Sequence, residues 1–228
     1  MRENSDYRIL LVFPIVLALF AVWFSIPKLI ASLKLLPSQE TVRAIGKGMP
    51  VSEMAIENAA GARMAAFAWL AEPKSQSKLG GLRLLQARRA GYATQRGKKF
   101  LAESIAAERQ SLSLSPVQPY AWVQLLQARL ALEGPSAALN PLFIMAIRTG
   151  PVDPPLVMRR LALGLSFWTF LDGEAVMLLK QQAVIAARYF PTKLAVMTKK
   201  RYALKLVRDA LAEDPALRLR FDRIYRRL

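Results

Sequence analysis

Between Arg8 and Pro27-Lys28 the chain runs ILLVFPIVLALFAVWFSI, Ile9 to Ile26, without one charged residue. This uncharged run of 18 residues constrains the fold more than anything else in the sequence. At about 1.5 Å per helical residue it nearly matches a hydrocarbon core of roughly 30 Å. It has no polar face, which separates it from an amphipathic helix lying on a protein core. No A-x-A pattern follows Ile26, so a cleaved leader is not expected. Pro14 is tolerated inside a membrane helix when its freed carbonyl finds another partner. Trp23 sits toward one end, where an indole ring favours the lipid–water boundary. We expect a tail and membrane anchor over 1–36, with the span at about 9–26 and Leu29 to Leu36 carrying helix past the bilayer. Arg2 and Arg8, diluted by Glu3 and Asp6, oppose Lys28, Lys34, Arg43 and Lys47, so the basic flanks nearly balance. A very short tail suits an uncleaved signal anchor. The expectation is a cytoplasmic tail and a body exported to a periplasm-like side.

The next stretch, 37–50, holds Pro37, Gly46, Gly48 and Pro50 and reads as a link, with one short helix over Ser38 to Ile45 capped by Ser38. From 51 to 228 the pattern is helix after helix. Ser52 caps a helix to Ala71, ended by Pro73. Gly80-Gly81 delays the next, which carries Leu82, Leu85, Arg89 and Tyr92 and frays near Gly91 or Gly97. Further helices follow over Lys98–Leu114, Pro119–Glu133 (stopped by Gly134) and Pro135–Arg148. Asp153-Pro154 opens one that includes Trp168. Asp172-Gly173 breaks it before Glu174–Tyr189. A helix from Pro191 to about Glu213 and a last one from Asp214-Pro215 to Leu228 complete about nine, with no convincing strand pair. The short links make neighbours antiparallel, each burying one apolar stripe against the next.

Composition removes several kinds of chemistry. The chain has no cysteine and no histidine. Disulfides, Cys/His zinc sites and Ser–His–Asp or Cys–His catalysis are therefore excluded. No phosphate-cradling glycine loop is present, since Gly80-Gly81 lacks the strand and Lys-Ser/Thr context. The acids are few and scattered, and Asp153 and Asp172 are accounted for as helix caps. The expectation is no enzyme, no cofactor and no metal, although distant acids that converged on a glycan would alter it. The net charge of +17 favours anionic partners, either acidic glycan or anionic lipid. Basic residues concentrate in Lys74 to Arg109 and Arg188 to Arg227. Nucleic acid is not expected, because no reading helix or RNA-binding motif accompanies them.

Pro116 and Pro151 lie 35 residues apart, and the window between them places Trp122, Leu125 and Ala138 close to tetratricopeptide spacing. Leu126 and Arg129 stand where that repeat has Gly and an aromatic, and flanking windows match less well. The fold class expected is all-α: a transmembrane helix followed by a degenerate tetratricopeptide-like repeat domain, an α-solenoid, with an irregular bundle as the competing arrangement. Ser115-Pro116, Ala121-Trp122 and Thr149-Gly150-Pro151 with Pro154 also fall in the order S-P…AW…TGP-x-x-P. In this the chain resembles the tetratricopeptide-like, single-anchor accessory proteins of bacterial extracellular-polysaccharide and O-antigen assembly. The likeness covers about a third of the chain. It implies a non-catalytic scaffold at the bacterial inner membrane, serving surface-polysaccharide assembly and binding partner proteins or glycan, with no catalytic residues. Alternatives are an adaptor with a basic face for anionic lipid and a polysaccharide-modifying enzyme. The candidate partner- or glycan-binding residues are Tyr120, Trp122, Arg148, Arg159 and Arg160. Phe167 and Trp168 are further stacking candidates, with packing between helices as the simpler role for all the aromatics.

Overall fold

The computed structural model describes residues 3–228, with side chains described at Pro14 and from Val16 onward. Residues 1–2, and the side chains of 9–13 and 15 within the expected span, lie outside the described residues. Among the described residues the chain is helical without a strand. α1 spans Glu3–Gly46, α2 Glu53–Phe67, α3 Pro73–Ala90, α4 Gln95–Leu114, α5 Pro119–Glu133 and α6 Asn140–Arg148. α7 follows at Pro154–Ser166, α8 at Gly173–Tyr189, α9 at Pro191–Lys200, α10 at Leu204–Ala210 and α11 at Pro215–Arg227. Two single 3-10 turns, Ala137–Leu139 and Trp168–Phe170, sit before α6 and before α8.

α1 is one helix of 44 residues that carries Pro14, Pro27 and Pro37 inside it. It is apolar and exposed at one end and packed at the other. One N-terminal helix is thus long and apolar enough to cross a membrane. The link expected at 37–50 shrinks to 47–52, because helix continues through Pro37. Ser38 is not a cap. It is fully buried in mid-helix. A small polar side chain there lets α2 approach α1.

Several caps act as the residue types require. Ser52 accepts from the Ala55 amide at 3.1 Å, Asp172 from Ala175 at 2.8 Å and Asp214 from Leu217 at 2.9 Å. Asp153 precedes Pro154 but its side chain makes no cap hydrogen bond. Gly134 stops α5 at φ 81°. Gly80 and Gly81 do not delay a helix; they lie inside α3. A Cβ on Gly80 would stand 2.2 Å from Glu108 Oε1, and one on Gly81 would stand 2.5 Å from Gln124 Oε1. The glycine pair exists so that α4 and α5 can bring long polar side chains against the α3 backbone.

The expected helix Pro135–Arg148 divides into a 3-10 turn and α6, which leaves Ala138 exposed in the turn. Ala146, fully buried, is the small residue that α6 presents to the core. The expected helix from Pro191 to Glu213 also divides, at Arg201–Ala203. There Thr198 O accepts from Ala203 N at 3.0 Å and Met197 O from Arg201 N at 3.0 Å. This is a Schellman-type stop with Tyr202 in the left-handed position, at φ 54°, where glycine is usual.

The core is a succession of apolar clusters. The first joins Val42 and Ile45 of α1 to Ile56 and Ala60 of α2 and Leu79 and Leu82 of α3. The second holds Leu84, Leu101, Ile105 and Leu125 across α3, α4 and α5. The third and largest runs from Val123 and Leu126 through Phe143, Leu161 and Leu179 to Phe221. Trp122 and Leu142 border both the second and the third. Each helix from α1 to α9 packs on its successor, α3 also on α5, α5 on α7, α6 on α8, α7 on α9 and α8 on α10, while α11 folds back onto α9 and α8.

Candidate binding site

The five expected site residues do not share one exposed face: Trp122 and Arg160 turn inward, while Tyr120 lies within electrostatic reach of Arg159 and Arg160. Trp122 is partly buried between two apolar clusters, and its Nε1 donates to Pro116 O at 2.8 Å. That bond staples the start of α5 to the segment before it, a packing role. Arg160 is fully buried, with Nη1 donating to Gly150 O at 2.8 Å, so it braces the α6–α7 turn from inside. Arg148 pairs with Glu174 at 2.6 Å on the surface. Tyr120 is exposed. Arg159 donates from Nε and Nη2 to Gln127 Oε1 at 3.0 and 2.6 Å, tying α7 to α5. Tyr120 and Arg159 remain near one another electrostatically, since Arg159 helps to restrain a rise in the Tyr120 pKa that burial causes first and Asp153 adds to.

Beside them lies Glu108, fully buried in α4 against the Gly80 backbone. Burial pushes its carboxyl up to about 9; neighbouring Ser77 and the more distant Arg159 offset only part of the rise. Neither oxygen has a protein partner at full hydrogen-bond geometry. The group is therefore a neutral acid at pH 7, held in the wall between α3 and α4. A second polar node stitches the first helices. Arg83 of α3 reaches Glu57 of α2 at 2.6 Å and Glu103 of α4 at 2.9 Å, and stacks over Phe100 at 5.6 Å. Hydrogen bonds from Arg83 and then Gln86 hold the Glu57 carboxyl below its usual range.

A concave site that the sequence did not disclose lies farther along. A cavity of about 720 Å³ opens between the α7–α8 corner and the α9–α10 break. Leu165, Leu171, Leu179 and Leu206 line it with apolar surface. Trp168 and Tyr202 stand at it as exposed aromatics, and Tyr202 is 95% exposed. Lys180, Arg201 and Lys205 supply three cations, against the single carboxylate of Asp209. Arg201 is positioned by a 2.8 Å bond from Nη1 to Ser166 Oγ. A left-handed non-glycine residue costs on the order of 1 kcal/mol or more, and such strain concentrates at functional positions. The neighbouring pair Phe167 and Trp168 divides its labour. Phe167 is buried edge-on to Phe143 at 5.8 Å, while Trp168 turns outward to the cavity. The sequence signal was faint: a Lys-Lys-Arg-Tyr run with no Gly or Pro to betray the break.

Fold and site thus define an all-helical protein with one N-terminal apolar helix and a basic, aromatic-lined cavity. Comparison with family models, curated proteins and solved structures returned no match.

Proposed function

We propose that the chain is a single-pass membrane protein whose helical body is a non-enzymatic scaffold, binding partner proteins or an acidic glycan. The observation that carries this reading is the two-ended character of α1. Every described side chain from Val16 to Ile26 is exposed, including Phe20, Trp23 and Phe24, whereas positions from Pro27 to Ile45 are covered at helical spacing. So much apolar surface in contact with water would be very unfavourable, and lipid is the solvent that suits it. An α-solenoid reading suits the body behind it. Its core is handed from one cluster to the next, and its helices meet near neighbours in sequence.

Several acids of the body are engaged as structural partners: Asp172 and Asp214 cap helices, and Glu57, Glu103, Glu133 and Asp222 pair with arginines. One carboxylate at the cavity does not make the paired-acid arrangement that glycan hydrolysis needs. Aromatic faces with surplus cations suit an acidic saccharide. The resemblance to anchored accessory proteins of bacterial surface-polysaccharide assembly supports that choice of ligand and a location at the inner membrane with the body outside the cytoplasm. A second reading, a basic face for anionic lipid, is favoured by α11, where Arg218, Arg220, Arg223, Arg226 and Arg227 are all exposed.

The test is a titration of the full chain, in detergent, with an acidic oligosaccharide and its neutral counterpart, followed by tryptophan emission with Trp168→Phe as control. Saturable binding of the acidic sugar is expected, weakened at least tenfold in Lys180→Ala/Lys205→Ala, with no bond cleavage on long incubation. Turnover of the sugar, or equal binding of the neutral one, would overturn the reading.

A further inference from the structure

We infer that the corner between α2 and α3, residues 68–72, rests on the membrane surface from which α1 emerges, with Trp69 and Leu70 seated among lipid headgroups. The inference builds on the membrane-spanning reading of α1 and adds a second, independent contact of the body with lipid.

α2 returns along α1. The two are joined by the short link 47–52, and Val42 and Ile45 at the end of α1 pack with Ile56 and Ala60 near the start of α2. α2 has 15 residues, which takes it about 22 Å back along its partner. The cover that it provides can be followed on α1. Pro27, Ile30, Ala31, Leu35, Ser38, Val42 and Ile45 are all shielded at three-to-four spacing, and no described side chain before Pro27 is. Cover therefore ends where the uncharged run Ile9–Ile26 ends. Fifteen residues back from Ile45 is about Ile30, roughly 6 Å above that boundary and within headgroup depth; there the chain leaves α2 and turns, and all of Ala68, Trp69, Leu70, Ala71 and Glu72 are exposed.

The chemistry of that level fits a lipid–water boundary. Trp69 offers an amphipathic ring and Leu70 a small apolar contact, both exposed. On the outer side of α1, Leu29, Leu33 and Leu36 remain exposed at the same helical spacing. Lys28, Lys34 and Lys74 are exposed around this zone and match anionic headgroups. Glu72 is the one acid of the corner, and the neighbouring Arg63 guanidinium feels its charge. Arg63 Nη1 also donates to Ser75 Oγ at 3.2 Å, bracing the end of α2 to the start of α3. The corner is thus stiff enough to hold two apolar side chains at a fixed height. A helix alone would let the body swing about the bilayer normal; a helix and a seated corner fix its tilt.

The absence of cysteine makes the test direct. Single cysteines replace Leu19, Trp69, Leu70 or Tyr202 in the full chain, each labelled with an environment-sensitive fluorophore. The chains are reconstituted in phosphatidylcholine vesicles with a minor phosphatidylglycerol fraction, with and without lipids carrying a quencher high on the acyl chain. The expected result is blue-shifted, quenched emission at positions 19, 69 and 70 and water-like, unquenched emission at 202, with the shallow quencher acting more strongly at 69 than at 19. Water-like emission at 69 and 70 with position 19 quenched would overturn the seated corner and leave the spanning helix standing. Unquenched emission at position 19 as well would overturn both. A blue shift at 69 that follows protein concentration and ignores the lipid quencher would assign the corner to a second copy of the chain, and would equally overturn the inference.

Discussion

Residues 16–26 of α1 and the helices α5–α8 are both rich in Leu, Ala, Val and Phe, yet the first expose every described side chain and the second bury theirs against one another. The difference lies in what is interleaved. In α5–α8 the apolar positions recur at helical spacing among groups that need specific partners: Arg159 on Gln127, Arg160 on Gly150, and Gln182 donating to Pro151 O at 2.9 Å. Those bonds fix which faces meet. Between 16 and 26 the one polar side chain, Ser25, bonds back to Ala21 O of its own helix at 2.8 Å. Nothing there selects a face, so nothing selects a protein partner. Apolarity decides that a segment leaves water; the pattern of polar groups decides whether it leaves for protein or for lipid.

The largest effect should come from breaking the apolar side of this comparison. Leu17→Asp with Phe20→Asp puts two carboxylates at the centre of the span, at about 2.5–3.5 kcal/mol each, or about 5–7 kcal/mol together. Vesicle flotation should lose the protein from the membrane fraction, while the thermal midpoint of the body stays unmoved. A body that unfolds with the span would erase the distinction between the two regions. On the polar side, Arg83→Ala removes the link joining α2, α3 and α4 and leaves Glu57 and Glu103 without their cation. The two carboxylates left behind are half-exposed, so a loss of about 2 kcal/mol, the scale of a hydrogen bond to a charged group, is expected in denaturant unfolding.

Glu108 gives a smaller and pH-dependent effect. Its carboxyl sits at about 9 in the folded chain against an ordinary 4.5. Between those values the folded chain keeps a proton that the unfolded chain releases. Its contribution to stability is complete below the lower value, falls as pH rises and is exhausted above the higher one. Glu108→Gln removes that slope. It should gain on the native protein by about 1 kcal/mol per pH unit between pH 5 and 8, measured by urea unfolding at each pH. Equal slopes would place a charged, solvated carboxylate there instead. The smallest effect is expected at Tyr202. Tyr202→Gly relieves a left-handed backbone and removes a side chain that packs on little, so thermal unfolding should show a gain of about 1 kcal/mol. The same substitution should weaken binding at the cavity, separating strain kept for function from strain without use.

The sequence disclosed the fold where pattern and physics coincide. The caps Ser52, Asp172 and Asp214 and the stop at Gly134 are local signals with local causes, and each appears in the structure as expected, while the uncharged run belongs to a helix long and apolar enough to cross a membrane. It misled where a residue type serves two opposite ends. Gly80-Gly81 looks like a helix delay but is a packing groove, which shows only once Glu108 and Gln124 arrive from other helices. Pro37 and Gly46 look like a link, yet the covering face of α2 keeps α1 helical through the first of them. The candidate residues fared similarly. Arg160 and Trp122 are conspicuous in sequence because they are large, and that size is spent on bracing turns. The cavity depends on a helix break at Tyr202 that no glycine or proline announces, and on Trp168 rather than Phe167 facing outward, a choice set by the Phe143 edge.

The proposed anchor and the body meet in one rigid element, a helix apolar enough at its N-terminal end to cross a membrane that continues unbroken into the body. Nitroxide labels at Phe24→Cys and Arg43→Cys, measured by pulsed electron spin resonance in reconstituted vesicles, read that element directly. Nineteen residues of continuous helix predict one narrow distance near ~28 Å, apart from label length. A broad distribution, or one centred well below that value, would mean a hinge at Pro27 or Pro37 and would contradict the account.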